Sequence, residues 1–130
     1  MNRPGHFVWN ELLTRKVDEV KRFYSSLLGW EFRHWEEGNY LLIRRDDQEV
    51  GGLMPIGGDV WEGVPNFWMA YIQVEQIDQL VGRVEELGGK LIEPPMEVPG
   101  VGRIAIVADP SGAVVGLIQF ASPSDDSQAG

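Results

Sequence analysis

The sequence predicts an α+β protein in which a βαβββ module occurs twice, and three observations support this prediction. The segment FVWNELLTRKVDEVKRFYSSLLGWEF aligns without a gap with FWMAYIQVEQIDQLVGRVEELGGKLI, which begins 60 residues later. Both segments change from a two-residue alternation of apolar side chains to a helical period. Three short strand candidates separated by turn residues follow each helix. With one face covered by helices, such modules are expected to form a curved, cup-shaped mixed sheet.

Each half begins with a strand and continues as a helix. The residues that share one strand face are Phe7, Trp9, Glu11 and Leu13 in the first half, and Phe67, Met69, Tyr71 and Gln73 in the second. The apolar helix stripes are Val17, Val20, Tyr24, Leu27 and Leu28, and then Ile77, Leu80, Val81, Val84 and Leu87. Glycines at 29 and at 88–89 are expected to end the two helices in the left-handed cap position.

The remaining strands and the domain limits follow from turn residues. The strand candidates are Trp30–Glu36, Tyr40–Arg45, Val50–Ile56, Lys90–Glu93, Arg103–Ala108 and Ala113–Phe120. Residues 1–120 are expected to form a single domain, with a first module at about 7–56, a linker at 57–66 and a second module at about 67–120. The small, polar residues of the tail at 121–130 predict disorder.

Composition excludes several classes of function. A net charge of −9 argues against nucleic acid as a partner, because phosphate binding requires a basic surface. The sequence contains no cysteine, so disulfides, thiolate metal sites and cysteine nucleophiles are excluded. No apolar run is long enough for a membrane helix, and the first residues do not resemble an export signal. A cytoplasmic location without membrane association is therefore expected.

Several motifs carry a family resemblance over about residues 7–120. They are VDEVKRFYSSLLGWEF, its echo IDQLVGRVEELGGKLI, the segment PGVGRIAIVADPSGAVVGLIQF, and VGGLMPI at the end of the first half. Together they resemble the vicinal oxygen chelate superfamily, which includes glyoxalase I, extradiol dioxygenases and bleomycin-binding resistance proteins. The resemblance implies the glyoxalase/bleomycin resistance-like fold and a small molecule bound in its cup. It also implies a homodimer.

The resemblance further implies where a divalent metal ion is expected, and the residues there do not suit one. The positions are Trp9, Met69, Gly116 and a fourth near Gly52. Indole has no free lone pair, a thioether is a soft ligand, and glycine has no side chain. The two histidines, at 6 and 34, are isolated from other ligand types at a recognisable spacing. No metal and no other cofactor are therefore predicted.

Gly116 lies in the middle of the last predicted strand, where a glycine often marks a bulge or the close approach of another group. One interpretation is that it leaves room for a ligand or for Trp9. The alternative is a bulge or close packing between strands. The sequence alone does not decide between them.

Three polar side chains are candidates for catalysis. Glu11 shares a strand face with aromatic residues, and desolvation raises the pKa of a carboxyl, as suits a general acid or base near neutral pH. Alternatively, Glu11 pairs with Arg103 or another cation, or lies in water at the mouth. Arg103 can bind an anionic or carbonyl group, or lie solvated at a strand end. Tyr71 can donate a hydrogen bond or stack on a ligand, or pack in the core.

Two further residues have structural interpretations. Asp109, in the turn Asp109–Gly112, is expected to accept backbone hydrogen bonds. Trp61 lies in the glycine-rich linker, where either a ligand or a second subunit could cover it.

Two functions remain open at this point. The first is a binding protein that holds a small apolar or aromatic molecule in a metal-free cup. Its predicted ligand-binding residues are Trp9, Glu11, Met69, Tyr71, Arg103 and Gly116. The second is a metal-independent lyase or isomerase in which Glu11 moves a proton and Arg103 or Tyr71 stabilises an oxyanion.

Overall fold

The computed structural model describes residues 3–35 and 38–121 of the 130-residue chain. Apart from Ala121, the predicted disordered tail lies outside the described residues. The elements in chain order are β1 (Phe7–Thr14), α1 (Val17–Leu28), β2 (Glu31–His34), β3 (Leu41–Arg45), β4 (Gln48–Pro55), a 3₁₀ turn (Asp59–Trp61), β5 (Phe67–Gln73), α2 (Ile77–Val81), β6 (Lys90–Val98), β7 (Gly102–Ala108) and β8 (Val114–Phe120). This order confirms the α+β class and the repeated βαβββ module.

The described chain divides into two compact units. Residues 9–69 form one unit, and residues 3–8 together with 70–121 form the other. Neither helix in the described ranges is long and apolar enough to cross a membrane.

In the unit of residues 9–69 the strands lie in the order β2-β3-β4-β1. β1 and β4 are parallel, whereas β2, β3 and β4 pair antiparallel. Helix α1 covers one face of these strands, where its residues Val17, Val20 and Tyr24 pack on a buried cluster formed by Leu12, Leu41 and Leu53. The helix ends at Gly29, whose φ of 72° is the left-handed conformation expected of a C-terminal cap.

In the other unit the strands lie in the order β5-β8-β7-β6. β5 and β8 are parallel, and β6, β7 and β8 pair antiparallel. The buried core of this unit consists of Val74, Ile77, Ala105, Val107 and Leu117. Val81 of α2 and Val84, which follows the helix, pack on this core. Helix α2 and the turns after it therefore cover the same face of the sheet.

Several details differ from the sequence predictions. Regular helix α2 ends at Val81 rather than at Gly88, and the chain continues in turns with bonds such as Gly82 N–H to the Gln79 carbonyl. β6 extends to Val98 because its register shifts accommodate the prolines that were expected to end it. Leu27 and Leu28 of the predicted apolar stripe are exposed.

Candidate functional site

Residues of β1 point alternately towards α1 and away from it. Leu12 packs under α1, so its neighbour Glu11 lies on the uncovered face of the sheet. Glu11 pairs with Gly52 of β4, which pairs on its other side with Leu42 of β3. These three residues therefore form one row across the uncovered face. Within this row Glu11 is 8% exposed, so a carboxyl group is buried on a face that the helix does not cover.

A hydrogen-bonded chain of three side chains holds this carboxyl group. The indole Nε1–H of Trp9 donates to the hydroxyl oxygen of Tyr40 over 3.0 Å. The Tyr40 hydroxyl in turn donates to Oε1 of Glu11 over 2.9 Å. Trp9 and Glu11 were predicted site residues, and the structure brings them together through Tyr40.

Sequence reasoning did not identify Tyr40 as a site residue, although a related signal was present. An ideal Cβ built at Gly52 would overlap the hydroxyl and ring of Tyr40. A glycine inside a strand indicates that another group approaches closely. The sequence does not reveal which group approaches, because Tyr40 lies 29 residues from Glu11 along the chain.

The other unit contains a comparable pair, Tyr71 of β5 and Gly116 of β8. The two residues are register partners in the parallel pair, and a Cβ at Gly116 would overlap the ring of Tyr71. Tyr71 is 6% exposed, so its ring is part of the packed structure. The space beside Gly116 is thus filled by Tyr71, which favours close packing over room for a ligand or for Trp9. In the unit of residues 9–69, Met69, another predicted site residue, is also buried.

Arg103 does not share a face with Gly116 and Tyr71, which corrects the expectation that these residues line one ligand site. Gly116 pairs with Ile106, whereas Arg103 pairs with Gln119 and alternates in phase with the core residues Ala105 and Val107. Arg103 therefore lies on the face that α2 covers. Its guanidinium donates to Asp78 of α2 over 2.6 Å and lies 3.6 Å from Glu97.

This ion pair changes the acid–base properties of Arg103. The hydrogen bond to Asp78, helped by the charges of Asp78 and Glu97, raises the pKa of the Arg103 guanidinium above its usual value. Arg103 is therefore held in an ion pair on the helix-covered face, away from Gly116 and Tyr71.

Asp109 has the turn role that the sequence predicts. Its Oδ1 accepts hydrogen bonds from the hydroxyl of Ser111 at 2.6 Å, from the Ser111 N–H at 2.9 Å and from the Ala113 N–H at 3.1 Å. The Ser111 hydroxyl contributes most to lowering the pKa of the Asp109 carboxyl, followed by backbone N–H groups.

The linker forms a cleft with a volume of about 490 Å³ beside Arg15. Other lining residues are Gly58, Asp59, Glu62, Gly63, Val64 and Pro65. The Arg15 guanidinium donates to the Trp61 carbonyl over 2.6 Å and to the Asn66 side chain over 3.2 Å. Trp61, for which the sequence left open a ligand or a second subunit as the cover, is half-buried.

The positions at which the family resemblance implies a divalent ion do not offer suitable donors. The indole nitrogen of Trp9 is engaged as a donor to Tyr40, and Met69 offers a thioether. Gly52 and Gly116 have no side chain, and tyrosines fill the space beside them. Within residues 3–35 and 38–121, no three His, Cys, Asp or Glu side chains are grouped as a metal site would require. The residues therefore do not fit a divalent ion.

Comparison with known proteins gives a family match over most of the chain. Residues 3–117 match the model of the Glyoxalase/Bleomycin resistance protein/Dioxygenase superfamily. A Mycobacterium tuberculosis protein with glyoxylase in its name, CFP32, is 35% identical over 122 residues, which cover 92% of this chain and 46% of CFP32. The anthracycline biosynthesis protein DnrV of Streptomyces peucetius is 33% identical over 124 residues, which cover 85% of this chain and 45% of DnrV. The chain thus spans about half the length of these curated relatives.

A solved structure confirms the fold. The crystal structure of methylmalonyl-CoA epimerase from Mycobacterium tuberculosis matches with a TM-score of 0.63 and 15% identity. The match covers 95% of this chain and 91% of the epimerase. At this identity the likeness concerns the fold alone.

Proposed function

The chain belongs to the Glyoxalase/Bleomycin resistance protein/Dioxygenase superfamily, and from this premise we propose that it binds a small apolar or aromatic molecule without a divalent metal ion. One observation carries the proposal: tyrosines fill the space beside Gly52 and Gly116, where the family resemblance implies metal-ligating side chains. At these positions a tyrosine phenol therefore occupies the space that a metal-ligating carboxylate or imidazole would need.

Aromatic side chains on these faces suit a flat ligand. A ring stacked on tyrosine or tryptophan gains contact area, and the indole and phenol polar groups add direction. The name of DnrV places that relative in anthracycline biosynthesis, and anthracyclines are flat, polycyclic aromatic compounds. We therefore propose an aromatic ligand of this chemical class, with Trp9 as a contact residue.

The test combines metal analysis with ligand titration. We expect elemental analysis and native mass spectrometry of the purified chain to find no stoichiometric zinc, nickel, manganese or iron. Titration with an anthracycline, followed by its fluorescence, should show saturable binding that Trp9→Leu weakens. Trp35→Leu is the matched control, because Trp35 follows β2 and is exposed. Stoichiometric metal, or equal affinities for wild type and Trp9→Leu, would contradict the proposal.

The burial of Glu11 favours a second function, a metal-independent lyase or isomerase. Glu11 is 8% exposed and accepts a hydrogen bond from Tyr40, so a carboxylate is held on the uncovered sheet face. A held carboxylate can move a proton next to a carbonyl group of a substrate. Glu11→Gln retains the shape of the side chain and removes its basicity, so this variant should bind ligand normally and lose turnover. Retained turnover in Glu11→Gln would exclude this function.

We also propose that the chain forms a homodimer and is located in the cytoplasm. Phe23, Leu27 and Leu28 expose apolar surface on α1, which a second copy of the chain could cover. The absence of cysteine suits a reducing compartment. Sedimentation at micromolar concentration should give the mass of a dimer, and a monomer would contradict this part of the proposal. Fluorescence microscopy of the tagged chain in its own cells tests the location.

A further inference from the structure

The hydroxyl of Tyr40 lies between two side chains with opposite hydrogen-bonding properties. An indole N–H can donate a hydrogen bond and cannot accept one in its ring plane. Trp9 therefore fixes the Tyr40 oxygen as an acceptor over 3.0 Å. The single proton of that hydroxyl is then directed to Glu11 Oε1, 2.9 Å away. Trp9 therefore sets the direction of both hydrogen bonds.

A hydrogen bond donated to a carboxylate stabilises its ionised form, especially where the group is shielded from water. We infer that Tyr40 is a positioning residue that holds Glu11 as an ionised, hydrogen-bond-accepting carboxylate, so that Glu11 begins the reaction as the proton acceptor and returns the proton to the substrate in the following step. The role of Glu11 towards substrate rests on the second function proposed above. The state of the carboxylate does not, and it can be measured without a substrate.

Gly52 makes this arrangement possible. It stands directly opposite Glu11 in the parallel pair, and any Cβ there would overlap the hydroxyl and ring of Tyr40. A larger residue at this position would displace the phenol from the carboxylate. The glycine, the tyrosine and the tryptophan thus act together on one group.

Three other charged groups of these strands lie close to one another. Arg33 of β2 and Arg44 of β3 lie 3.8 and 3.5 Å from Glu49 of β4. Leu42, the residue of β3 in the same row as Glu11 and Gly52, has no charge. From the segment before β3, Tyr40 donates a hydrogen bond to the Glu11 carboxylate.

The experiment follows the Glu11 carboxyl carbon and the Trp9 indole N–H by NMR during a pH titration. In the wild type the carboxyl should be ionised at neutral pH. Tyr40→Phe removes the donated bond, so the midpoint for Glu11 should rise by about one pH unit. The Trp9 indole proton should also exchange faster with solvent. Tyr24→Phe is the control, because it removes a hydroxyl in the same unit from a ring that stacks on Trp30.

The outcomes separate this inference from the proposed enzyme. A Glu11 carboxyl that is protonated at neutral pH, or a midpoint that Tyr40→Phe leaves unchanged, overturns the inference. If the midpoint moves as expected and a carbonyl substrate is turned over, the acidic limb of the pH–rate profile should move with it in Tyr40→Phe. If the midpoint moves and Glu11→Gln leaves turnover intact, the inferred carboxylate state stands and the enzymatic function fails.

Discussion

Tyr71 is the register partner of Gly116, and its ring fills the space that a side chain at position 116 would occupy. The unit of residues 9–69 shows the same relationship between Tyr40 and Gly52. The tyrosines come from different places, however, since Tyr71 belongs to the paired first strand and Tyr40 precedes β3. In both units a last-strand glycine therefore accommodates a tyrosine, although the two tyrosines do not occupy equivalent positions in the repeat.

Replacing Gly116 with alanine should destabilise the protein. The added methyl group must displace the buried Tyr71 ring or the backbone of β8. Alanine stabilises a protein slightly because it restricts the unfolded chain more than glycine does. Overpacking of this kind costs more free energy than that, so we expect a net loss of about 1–2 kcal/mol in the free energy of unfolding. Urea denaturation of wild type and Gly116→Ala measures this loss.

Gly57→Ala is the control for Gly116→Ala. A Cβ at Gly57 meets no atom within 4 Å, so its free energy of unfolding should change little. Adding Tyr71→Leu to both backgrounds tests the cause, because Gly116→Ala should cost less once the ring is smaller. Equal costs of Gly116→Ala with and without Tyr71 would show that the ring is not the obstacle.

Replacing Arg103 with glutamine should leave ligand binding unchanged and lower stability slightly. Arg103 lies on the helix-covered face and binds Asp78 over 2.6 Å, so the substitution removes an ion pair away from the Gly116 face. Asp78→Asn should cost a similar amount, and the double variant should cost less than the sum. Denaturation of the four proteins gives the coupling. A selective loss of anthracycline affinity in Arg103→Gln would contradict the assignment of this residue to structure.

Asp109 should contribute stability that depends on pH. The turn around Ser111 lowers the pKa of the Asp109 carboxyl, so the folded state favours its charged form. This contribution is present above the unfolded-state pKa of roughly 3.9 and is lost as the pH falls through the lower folded-state value. Asp109→Asn should therefore be less stable than wild type near neutral pH, and the difference should shrink below about pH 4.

Thermal denaturation across this pH range tests the prediction for Asp109. Glu86→Gln, which neutralises an exposed carboxylate elsewhere in the same unit, is the control. Its difference in stability from wild type should not shrink in this way as the pH falls. A difference between wild type and Asp109→Asn that grows as the pH falls would reverse the sign and exclude the mechanism.

Local sequence patterns were sufficient to predict some elements fully. Helix α1 has both a helical apolar period and Gly29 at its end, so its limits follow from neighbouring residues. For α2 the same period extended past Gly82, but glycine is a poor helix former, and 3₁₀-type bonds continue from there. Period alone therefore overestimated the length of α2.

The candidate site was less predictable because it depends on contacts between distant parts of the chain. Alternation places Trp9 and Glu11 on one face, and this was readable from the sequence. Whether Arg103 shares a face with Gly116 depends on the register of β7 and β8, which the sequence does not specify. The same holds for Tyr40, whose approach to Glu11 requires the pairing of β1, β4 and β3.

Arg15 should control the order of the linker that follows β4. Its guanidinium binds the Trp61 carbonyl and the Asn66 side chain, and its backbone N–H donates to the same Asn66 oxygen over 3.0 Å. Arg15→Ala removes the two guanidinium bonds and leaves the backbone bond. If those bonds contribute about 1 kcal/mol to closing the linker, amide protons of residues 59–66 should exchange roughly fivefold faster. Arg22→Ala, which removes an exposed cation from α1, should leave them unchanged. Equal exchange in wild type and Arg15→Ala would mean that backbone bonds such as Val64 N–H to the Trp61 carbonyl are sufficient to order the linker.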